Sequence, residues 1–312
     1  MKILLLDTNH DILKSGLEQL GHQCEEDFMS SKSDIEKKIH LYQGLVIRSR
    51  FNIDKQFLDA ATNLKFIGRV GAGLENIDIT YADKKGVKLI SAPEGNRNAV
   101  GEHALGMLLS LLNNLNKVDS EVRHGIWLRA ENRGVELEGK TIGLIGYGNM
   151  GKSFAKKLSG FDVKVICHDI LPNVGDVYAT QVTQEQFFDQ TDILSLHTPL
   201  TNLTLNMVDT AFISKFKNPF YLINTARGQS VNTSDLVEAL ENKKILGACL
   251  DVLEYEKSSF ESLFSADIPK ALKYLITSNK VILSPHIAGW THQSNYKLAK
   301  TIVDKVQLYL SH

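Results

Sequence analysis

A glycine-rich turn near the middle of the chain has the spacing of a dinucleotide-binding site. Gly146-x-Gly148-x-x-Gly151 joins an apolar run to a segment of helical period. Gly146 permits a tight turn, Gly148 lets backbone amides approach a pyrophosphate, and Gly151 allows strand and helix to pack closely. The phosphate charge would lie at the helix N-terminus. A glycine turn that only packs is the alternative, but the flanking strand and helix patterns favour a dinucleotide site.

An acidic residue follows the next apolar run. Asp169 stands at the spacing from Gly151 that suits a carboxylate binding the adenosine ribose hydroxyls. Ile170, Leu171 and Pro172 come next, so no Arg or Lys directly follows the acid to receive a 2'-phosphate. The sequence therefore predicts NAD rather than NADP as the cofactor.

Ionisable side chains also stand in three turns after apolar runs. These turns contain Arg227, the pair Glu254 and Glu256, and His286. An Arg fork can bind the carboxylate of a 2-oxo acid while a His gives or takes a proton as hydride moves. A carboxylate bonded to the imidazole would orient it. Each residue alone could be an ordinary surface or structural group, so the hypothesis depends on the ordered set.

Composition limits the classes of partner. The 312 residues suggest about two domains, and the formal net charge of -1, with both signs interspersed, predicts neither a nucleic-acid surface nor a membrane patch. Three widely spaced cysteines and a short N-terminal apolar run favour a reducing, cytoplasmic location. We predict no metal site.

Alternating apolar runs and amphipathic segments predict an α/β fold with two doubly wound parallel sheets. Strands are expected at 3–6, 44–47, 66–68 and 87–90 in a flavodoxin-like substrate domain, and at 142–145, 162–168, 193–197, 219–224, 245–250 and 281–283 in a Rossmann NAD-binding domain. A last helix near 293–310 has no seventh cofactor-domain strand to serve, so it is assigned to the first domain. The predicted domains are 1–97 plus 287–312 for substrate and 98–286 for NAD.

Two apolar segments suggest an interface. Residues 98–112 form a strongly apolar helical pattern, expected to pack at a domain or subunit boundary, and an arm near 127–137 carries Trp127. The sequence therefore predicts a homodimer.

The ordered motifs resemble the D-isomer-specific 2-hydroxyacid dehydrogenase family from about residue 47 to the C-terminus. Besides the glycine turn and acid, they comprise His197-Thr-Pro199, Asn224-x-x-Arg227-Gly228, Leu250-Asp-Val252 and Pro285-His286. The resemblance implies that Arg227 binds the substrate's carboxylate and carbonyl and that His286 is the acid/base. It also implies that Glu256, five residues after Asp251, supports His286, and that Asp251 faces the nicotinamide amide.

The family likeness implies a wider set of cofactor contacts: Val100, Gly146, Gly148, Asn149, Met150, Gly151, Asp169, Ile170, His197, Thr198, Pro199, Thr204, Thr225, Ala226, Asp251 and Gly289. The chain departs from the family in two places. Lys257 follows Glu256 where many members have Pro, and Glu254 competes for the role beside His286. An extra amphipathic helix is predicted over 260–275, near the site.

We expect residues of the first domain to bind the distal part of the substrate. Candidate substrate residues are Arg48, Ser49, Arg69, Ala72, Gly73 and Asn96, with Arg129 and Arg133 as further phosphate ligands. Solvated surface charges are the alternative reading of these cations. The segments look most like the 3-phosphoglycerate dehydrogenase branch, which implies oxidation of 3-phospho-D-glycerate on the way to serine, here expected without a C-terminal regulatory domain. Reduction of hydroxypyruvate, glyoxylate or another 2-oxo acid remains open, as does an NADH-sensing binding protein similar to corepressors.

Overall fold

The computed structural model describes residues 1–256 and 268–311 and divides the chain into two compact units. Unit 1 comprises Met1–Arg97 with Trp290–His312, and unit 2 comprises Asn98–Gly289. The sequence put the second boundary at 286/287, three residues too early. The backbone amides of Ile287 and Ala288 donate to the side chain of Asp251, and these bonds keep the turn within unit 2.

Unit 1 contains a five-stranded parallel sheet. Its strands are β1 (Lys2–Leu5), β2 (Gln23–Glu26), β3 (Gly44–Ile47), β4 (Phe66–Arg69) and β5 (Lys88–Ser91). Their order, β2-β1-β3-β4-β5, is the flavodoxin order, so the predicted fold is confirmed. The sequence missed β2. This strand reads Gln-Cys-Glu-Glu and pairs only with β1, so a partly exposed edge position tolerates its polar side chains.

Unit 2 contains a seven-stranded parallel sheet. Its strands are β6 (Thr141–Ile145), β7 (Lys164–His168), β8 (Thr180–Gln181), β9 (Ile193–Leu196), β10 (Phe220–Asn224), β11 (Ile245–Leu250) and β12 (Val281–Leu283). The order β12-β11-β10-β9-β6-β7-β8 reverses direction between β6 and β9, which is the topological switch point of a Rossmann fold. The expectation of six strands was wrong, because the two-residue β8 is too short to leave a periodic signal.

Helices connect the strands of both units. They are α1 (Ile12–Gln19), α2 (Lys32–Lys38), α3 (Lys55–Ala60), α4 (Ile79–Lys84), α5 (Pro93–Leu112), α6 (Leu115–Arg123), α7 (Asn149–Lys157), α8 (Gln184–Gln190), α9 (Thr210–Ser214), α10 (Thr233–Glu241), α11 (Lys270–Thr277) and α12 (His292–Leu310). The apolar helix expected from residue 98 begins at Pro93. Of the helix predicted over 260–275, residues 260–267 lie outside the described residues. Residues 268 and 269 are not helical, and α11 covers the remainder from Lys270.

The last helix belongs to unit 1, as the sequence predicted, although unit 2 does have a seventh strand. Leu298, Ile302 and Val306 of α12 are buried in one core with Leu13 and Leu17 of α1. A side chain at Gly95 would reach within 2.7 Å of the Leu298 backbone, so this contact is close enough to require glycine. α12 therefore covers one face of the first sheet.

Each face of both sheets has its own apolar core. Cys167 and Cys249 lie in one of these cores, as the apolar runs around them predicted. Burial on both faces gives the strands continuous apolar sequences, and their polar residues accumulate at the strand ends. In the part of the chain that the structure describes, no helix is long and apolar enough to cross a membrane.

Candidate active site

The predicted residues of unit 2 follow the carboxyl ends of its strands. Gly146 comes after β6, Asp169 after β7 and His197 after β9, while Thr225, Asp251 and Ser284 follow β10, β11 and β12. Because the strands are parallel, these ends meet at one edge of the sheet. That edge is where ligands bind in doubly wound folds.

The three glycines of the turn each meet a different constraint. Gly146 has a φ of 86°, and a side chain there would approach the His197 carbonyl oxygen to 2.8 Å. A Cβ at Gly151 would lie 2.3 Å from the carbonyl oxygen of Gly146. Apart from its two chain neighbours, no described residue has an atom within 4 Å of a Cβ built on Gly148, which caps α7. Gly148 therefore faces open space at the N-terminus of a helix, which suits a pyrophosphate.

The carboxylate of Asp169 is tied to the glycine turn. Its Oδ2 accepts a hydrogen bond from the Tyr147 amide at 2.7 Å, and its Oδ1 accepts one from the Leu171 amide at 2.9 Å. A carboxylate has lone pairs left after these two bonds, so Asp169 can still accept from a ribose hydroxyl. The neighbouring Ile170 is 84% exposed beside it. Asp169 and the turn form one hydrogen-bonded unit.

Polar atoms without protein partners surround this turn. Among the described residues, the His197 Nδ1, Thr198 Oγ1 and Thr225 Oγ1 atoms are buried and have no hydrogen-bond partner. A buried polar atom left unpaired costs about 1–3 kcal/mol. A polar ligand such as a dinucleotide would supply partners, so these residues fit NAD. Thr204 differs, because its hydroxyl donates to the Pro199 carbonyl at 2.7 Å and stabilises that loop.

The imidazole of His197 is uncharged. Burial lowers the pKa of His197 to about 3. Its Nε2 contacts the hydroxyl of the buried Ser195 at 2.9 Å. At neutral pH this residue is therefore a hydrogen-bonding group beside the turn and contributes no positive charge.

The loop that carries Arg227 is shaped by a buried amide side chain. Asn224, at the end of β10, accepts from the Ala226 amide at 3.0 Å and donates to the Arg227 carbonyl at 2.9 Å. A Cβ on Gly228 would lie 2.0 Å from the carbonyl oxygen of Leu253. The glycine thus lets the Arg227 loop pack directly against the loop that leads to Glu256.

The structure brings Glu256 and His286 together. The Nδ1 of His286 lies 2.8 Å from the Oε2 of Glu256, and the Leu253 amide donates to Oε1 of the same carboxylate. Glu254, the alternative partner, instead accepts from the Thr233 amide at 2.8 Å at the start of α10. The offset from Asp251 selected the glutamate that contacts the imidazole.

His286 lies in a strained turn held by Asp251. Its φ is 56°, a left-handed conformation that costs a non-glycine residue about 1–3 kcal/mol. The Asp251 carbonyl accepts from the His286 amide at 2.8 Å, and the Asp251 carboxylate accepts from the amides of Ile287 and Ala288, both at 2.9 Å. Sequence reasoning assigned Asp251 to the nicotinamide and missed its role in shaping this turn. The only sequence signal is an acid directly after a wholly apolar strand.

In unit 1, the predicted substrate residues also gather at strand ends. Arg48 and Ser49 follow β3, Arg69 ends β4, and Ala72 and Gly73 lie in the loop after it. Asn96 is in α5, and its Oδ1 is buried without a hydrogen-bond partner among the described residues. The side chains of Arg48 and Trp290 are stacked, with the guanidinium carbon 4.9 Å from the ring centroid.

An acid lies among these cations. Burial raises the pKa of Asp7, while the Arg48 amide, which donates to Oδ2 at 2.6 Å, acts in the opposite direction. The guanidinium charges of Arg48, Arg50 and Arg69 also favour the ionised form of this carboxyl. The guanidinium of Arg50 donates to the backbone carbonyls of Leu6, Asp27 and Ser30, so this third cation is structural.

Comparison with known proteins identifies the family. Residues 105–288 match the D-isomer specific 2-hydroxyacid dehydrogenase, NAD binding domain. A hydroxypyruvate reductase from Thermotoga maritima is 32% identical over 88% of this chain and 87% of its own length. A D-3-phosphoglycerate dehydrogenase from Archaeoglobus fulgidus is 30% identical over 98% of this chain, which spans 56% of that relative.

A solved structure shows the same fold. The D-lactate dehydrogenase of Lactobacillus jensenii with NAD+ superposes with a TM-score of 0.81 at 28% identity, covering 100% of this chain and 98% of that one. The strand order, the glycine turn and the unpaired polar atoms beside it agree with a domain that binds NAD. The chain therefore belongs to the family of NAD-dependent, D-isomer-specific 2-hydroxyacid dehydrogenases.

Proposed function

We propose that Arg227, Glu256 and His286 are the catalytic residues of this dehydrogenase. The observation that carries the proposal is the 2.8 Å contact between the His286 Nδ1 and the Glu256 Oε2. A carboxylate in this position holds the imidazole in one orientation by a hydrogen bond to one ring nitrogen. The packing of Gly228 against Leu253 keeps the Arg227 loop next to this pair.

The arrangement supports reversible oxidation of a D-2-hydroxy acid. Held by the Gly146–Gly151 turn and Asp169, NAD would supply the acceptor for the hydride that leaves C2 of the substrate. Because the Nδ1 of His286 is engaged with Glu256, its Nε2 takes the proton of the substrate hydroxyl. Arg227 binds the carboxylate and the developing carbonyl through its guanidinium fork. In reduction, His286 returns the proton.

The proposed substrate is 3-phospho-D-glycerate, oxidised to 3-phosphohydroxypyruvate on the way to serine. Arg48 and Arg69 at the ends of β3 and β4 support a distal anionic group. The Trp290 ring beside Arg48 favours one orientation of its guanidinium, and cation–π contacts of this kind contribute about 0.5–2 kcal/mol. Ser49, Ala72, Gly73 and Asn96 would complete the pocket, as the sequence predicted.

A second candidate is reduction of hydroxypyruvate or glyoxylate. The relative from Thermotoga maritima, which this chain matches over most of both lengths, is named a hydroxypyruvate reductase. Neither of these substrates carries a phosphate, so neither requires a distal cation pair. The roles of Arg48 and Arg69 therefore separate the two candidates.

We also propose that the chain forms a homodimer through α6 and the arm after it. None of the residues of α6 is buried, and the side chains of Leu115, Val122, Ile126 and Trp127 are all exposed, Trp127 by 76%. Contiguous exposed apolar surface of this kind marks an interaction site. Arg129 and Arg133 lie exposed in the same arm, where they could reach a phosphate bound by the second subunit.

A reducing, cytoplasmic location accompanies the proposal. Cys24, Cys167 and Cys249 are all free thiols. Proteins of oxidising compartments more often pair their cysteines.

The catalytic assignment predicts the effect of removing the imidazole. His286→Ala should lower kcat by about 10²–10⁴-fold, because it removes the group proposed to move the proton, while the Kd for NADH stays within about twofold. Steady-state rates and NADH fluorescence titration measure the two quantities. The exposed His40→Ala serves as a control. Unchanged turnover in His286→Ala would exclude the assignment, and tight NADH binding without any hydride transfer in the wild type would favour a binding protein.

The substrate assignment predicts a difference between phosphorylated and unphosphorylated acids. The wild type should show a higher kcat/KM for 3-phosphohydroxypyruvate than for hydroxypyruvate or glyoxylate, measured by NADH oxidation. Arg48→Gln should lower this value for the phosphorylated acid by about 10-fold or more, since a charge-assisted hydrogen bond contributes about 1.5–3 kcal/mol. Its activity with glyoxylate should change little. Equal losses on all three substrates would contradict the phosphate role.

The role of Asp169 predicts a change in cofactor preference. Asp169→Asn keeps an acceptor for one of the two backbone amides and removes the charge that repels a 2'-phosphate. The preference for NADH over NADPH, taken as a ratio of Kd values, should therefore fall by about 10-fold. Asp162→Asn, an exposed acid at the start of the same β-strand region, is the matched control. A ratio equal to that of the wild type would show that other residues exclude NADPH.

The interface proposal predicts that a substitution in the arm lowers the molar mass of the protein in solution. The wild type should be a dimer by light scattering, and Trp127→Ser should shift it toward monomer, since truncating a large aromatic anchor typically costs 2 kcal/mol or more, about 30-fold in Kd. Met29, which is 92% exposed in unit 1, gives the control Met29→Ser. A monomeric wild type at working concentration would refute the proposal.

A further inference from the structure

One histidine outside the proposed catalytic set contacts the residues that shape the His286 turn. His103, on α5, has its Nε2 2.9 Å from the hydroxyl of Ser284 and 3.5 Å from the Oδ1 of Asp251. The Ser284 hydroxyl lies 2.6 Å from the same Oδ1. The three side chains form a continuous path from α5 to the turn after β12.

The directions of these hydrogen bonds follow from the donors available. Asp251 is 1% exposed, and its two oxygens already accept from the amides of Ile287 and Ala288. An ionised carboxylate accepts only, so the single proton of Ser284 points to Oδ1. Met107 Sδ, 3.7 Å from the same hydroxyl, is a weaker acceptor and cannot compete with a charged oxygen.

The Ser284 hydroxyl uses its only hydrogen in the hydrogen bond to Asp251. In its contact with His103, the Ser284 oxygen must therefore be the acceptor. His103 therefore carries its proton on Nε2, and the path runs from this N–H through the hydroxyl to the carboxylate. Hydrogen bonds in such a chain polarise one another and strengthen the last bond. That last bond fixes one oxygen of Asp251, the oxygen that also accepts from the Ile287 amide.

His103 lies on a part of α5 that is packed into a core. The neighbouring Ala104 and Met107 are buried in the core that packs α5 on the second sheet. The side chain of His103 is 25% exposed, so it lies at the margin of that core. From there its Nε2 lies within hydrogen-bonding distance of the Ser284 hydroxyl, beside the buried Asp251.

We propose that His103 is a positioning residue: through Ser284 and Asp251 it holds the turn that presents His286 in its left-handed conformation. The inference rests on the proposed role of His286. His103 does not touch substrate or cofactor in this scheme. Its contribution is to orient the Asp251 carboxylate, which in turn fixes the backbone of residues 286–288.

The test compares variants that remove or retain the N–H at the place of Nε2. His103→Leu should lower kcat by about 10-fold, since small misplacements of an acid/base are costly, with KM changed by less than about threefold. His103→Gln places an amide N–H near Nε2 and should recover most of kcat. His103→Asn is too short to reach Ser284 and should resemble His103→Leu. His40→Leu controls for loss of an exposed histidine.

A double-variant cycle checks the path itself. Ser284→Ala breaks it after the first step, so the pair His103→Leu with Ser284→Ala should lose no more activity than Ser284→Ala alone. Thermal unfolding of each variant separates a loss of stability from a loss of kcat. If only His103→Leu fails to fold, the test becomes the comparison of kcat between His103→Gln and His103→Asn.

Wild-type kcat in His103→Leu, equal rates in the Gln and Asn variants, or additive losses in the double variant would each overturn the inference. His286→Ala is measured in the same assay. If it is inactive while His103→Leu is normal, only the positioning role fails. If it keeps its turnover, the proposed function fails first.

Discussion

The geometry of the site depends on the hydrogen bonds that the buried carboxylate of Asp251 accepts. Asp251 follows β11 directly, and its oxygens accept from two backbone amides and one hydroxyl of the turn after β12. Burying a charged group is unfavourable unless hydrogen bonds compensate it, and here they come from the segment that must be shaped. The turn can keep His286 at a φ of 56° because these bonds offset the strain.

Polar side chains also hydrogen-bond the backbone of the neighbouring loops. Asn224, fully buried, folds the Arg227 loop back on itself, and Gly228 lets that loop meet the backbone of Leu253. Thr204 closes the loop after Pro199 in a similar way. Short polar side chains at strand ends thus satisfy loop backbones. The longer side chains, Arg227, Glu256 and His286, remain partly exposed on these loops.

The residues proposed to form the site could be predicted to different degrees. The glycine turn and Asp169 were recognisable because their roles depend on local backbone geometry, which a spacing of a few residues records. Glu256 was distinguished from Glu254 only by its offset from Asp251 in the resemblance. No local pattern indicates that Glu254 turns toward the Thr233 amide, because that contact joins residues far apart in the chain.

The elements missed in the sequence have the same explanation. β2 is polar and β8 has two residues, so neither has the apolar run that marks a buried strand. Their pairing is imposed by a neighbouring strand already in place. The support given by Asp251 and Asn224 was also missed, since hydrogen bonds to backbone amides depend on where the tertiary fold brings the loops.

The return of α12 to unit 1 separates the order of synthesis from the order of folding. Unit 2 is one continuous stretch, so it can complete its core while later residues are still in the ribosome. Unit 1 is begun first, but one face of its sheet lacks Leu298, Ile302 and Val306 until α12 has emerged. A nascent chain therefore carries an apolar sheet face that only α1 covers throughout the synthesis of unit 2, the period in which a chaperone has most to protect.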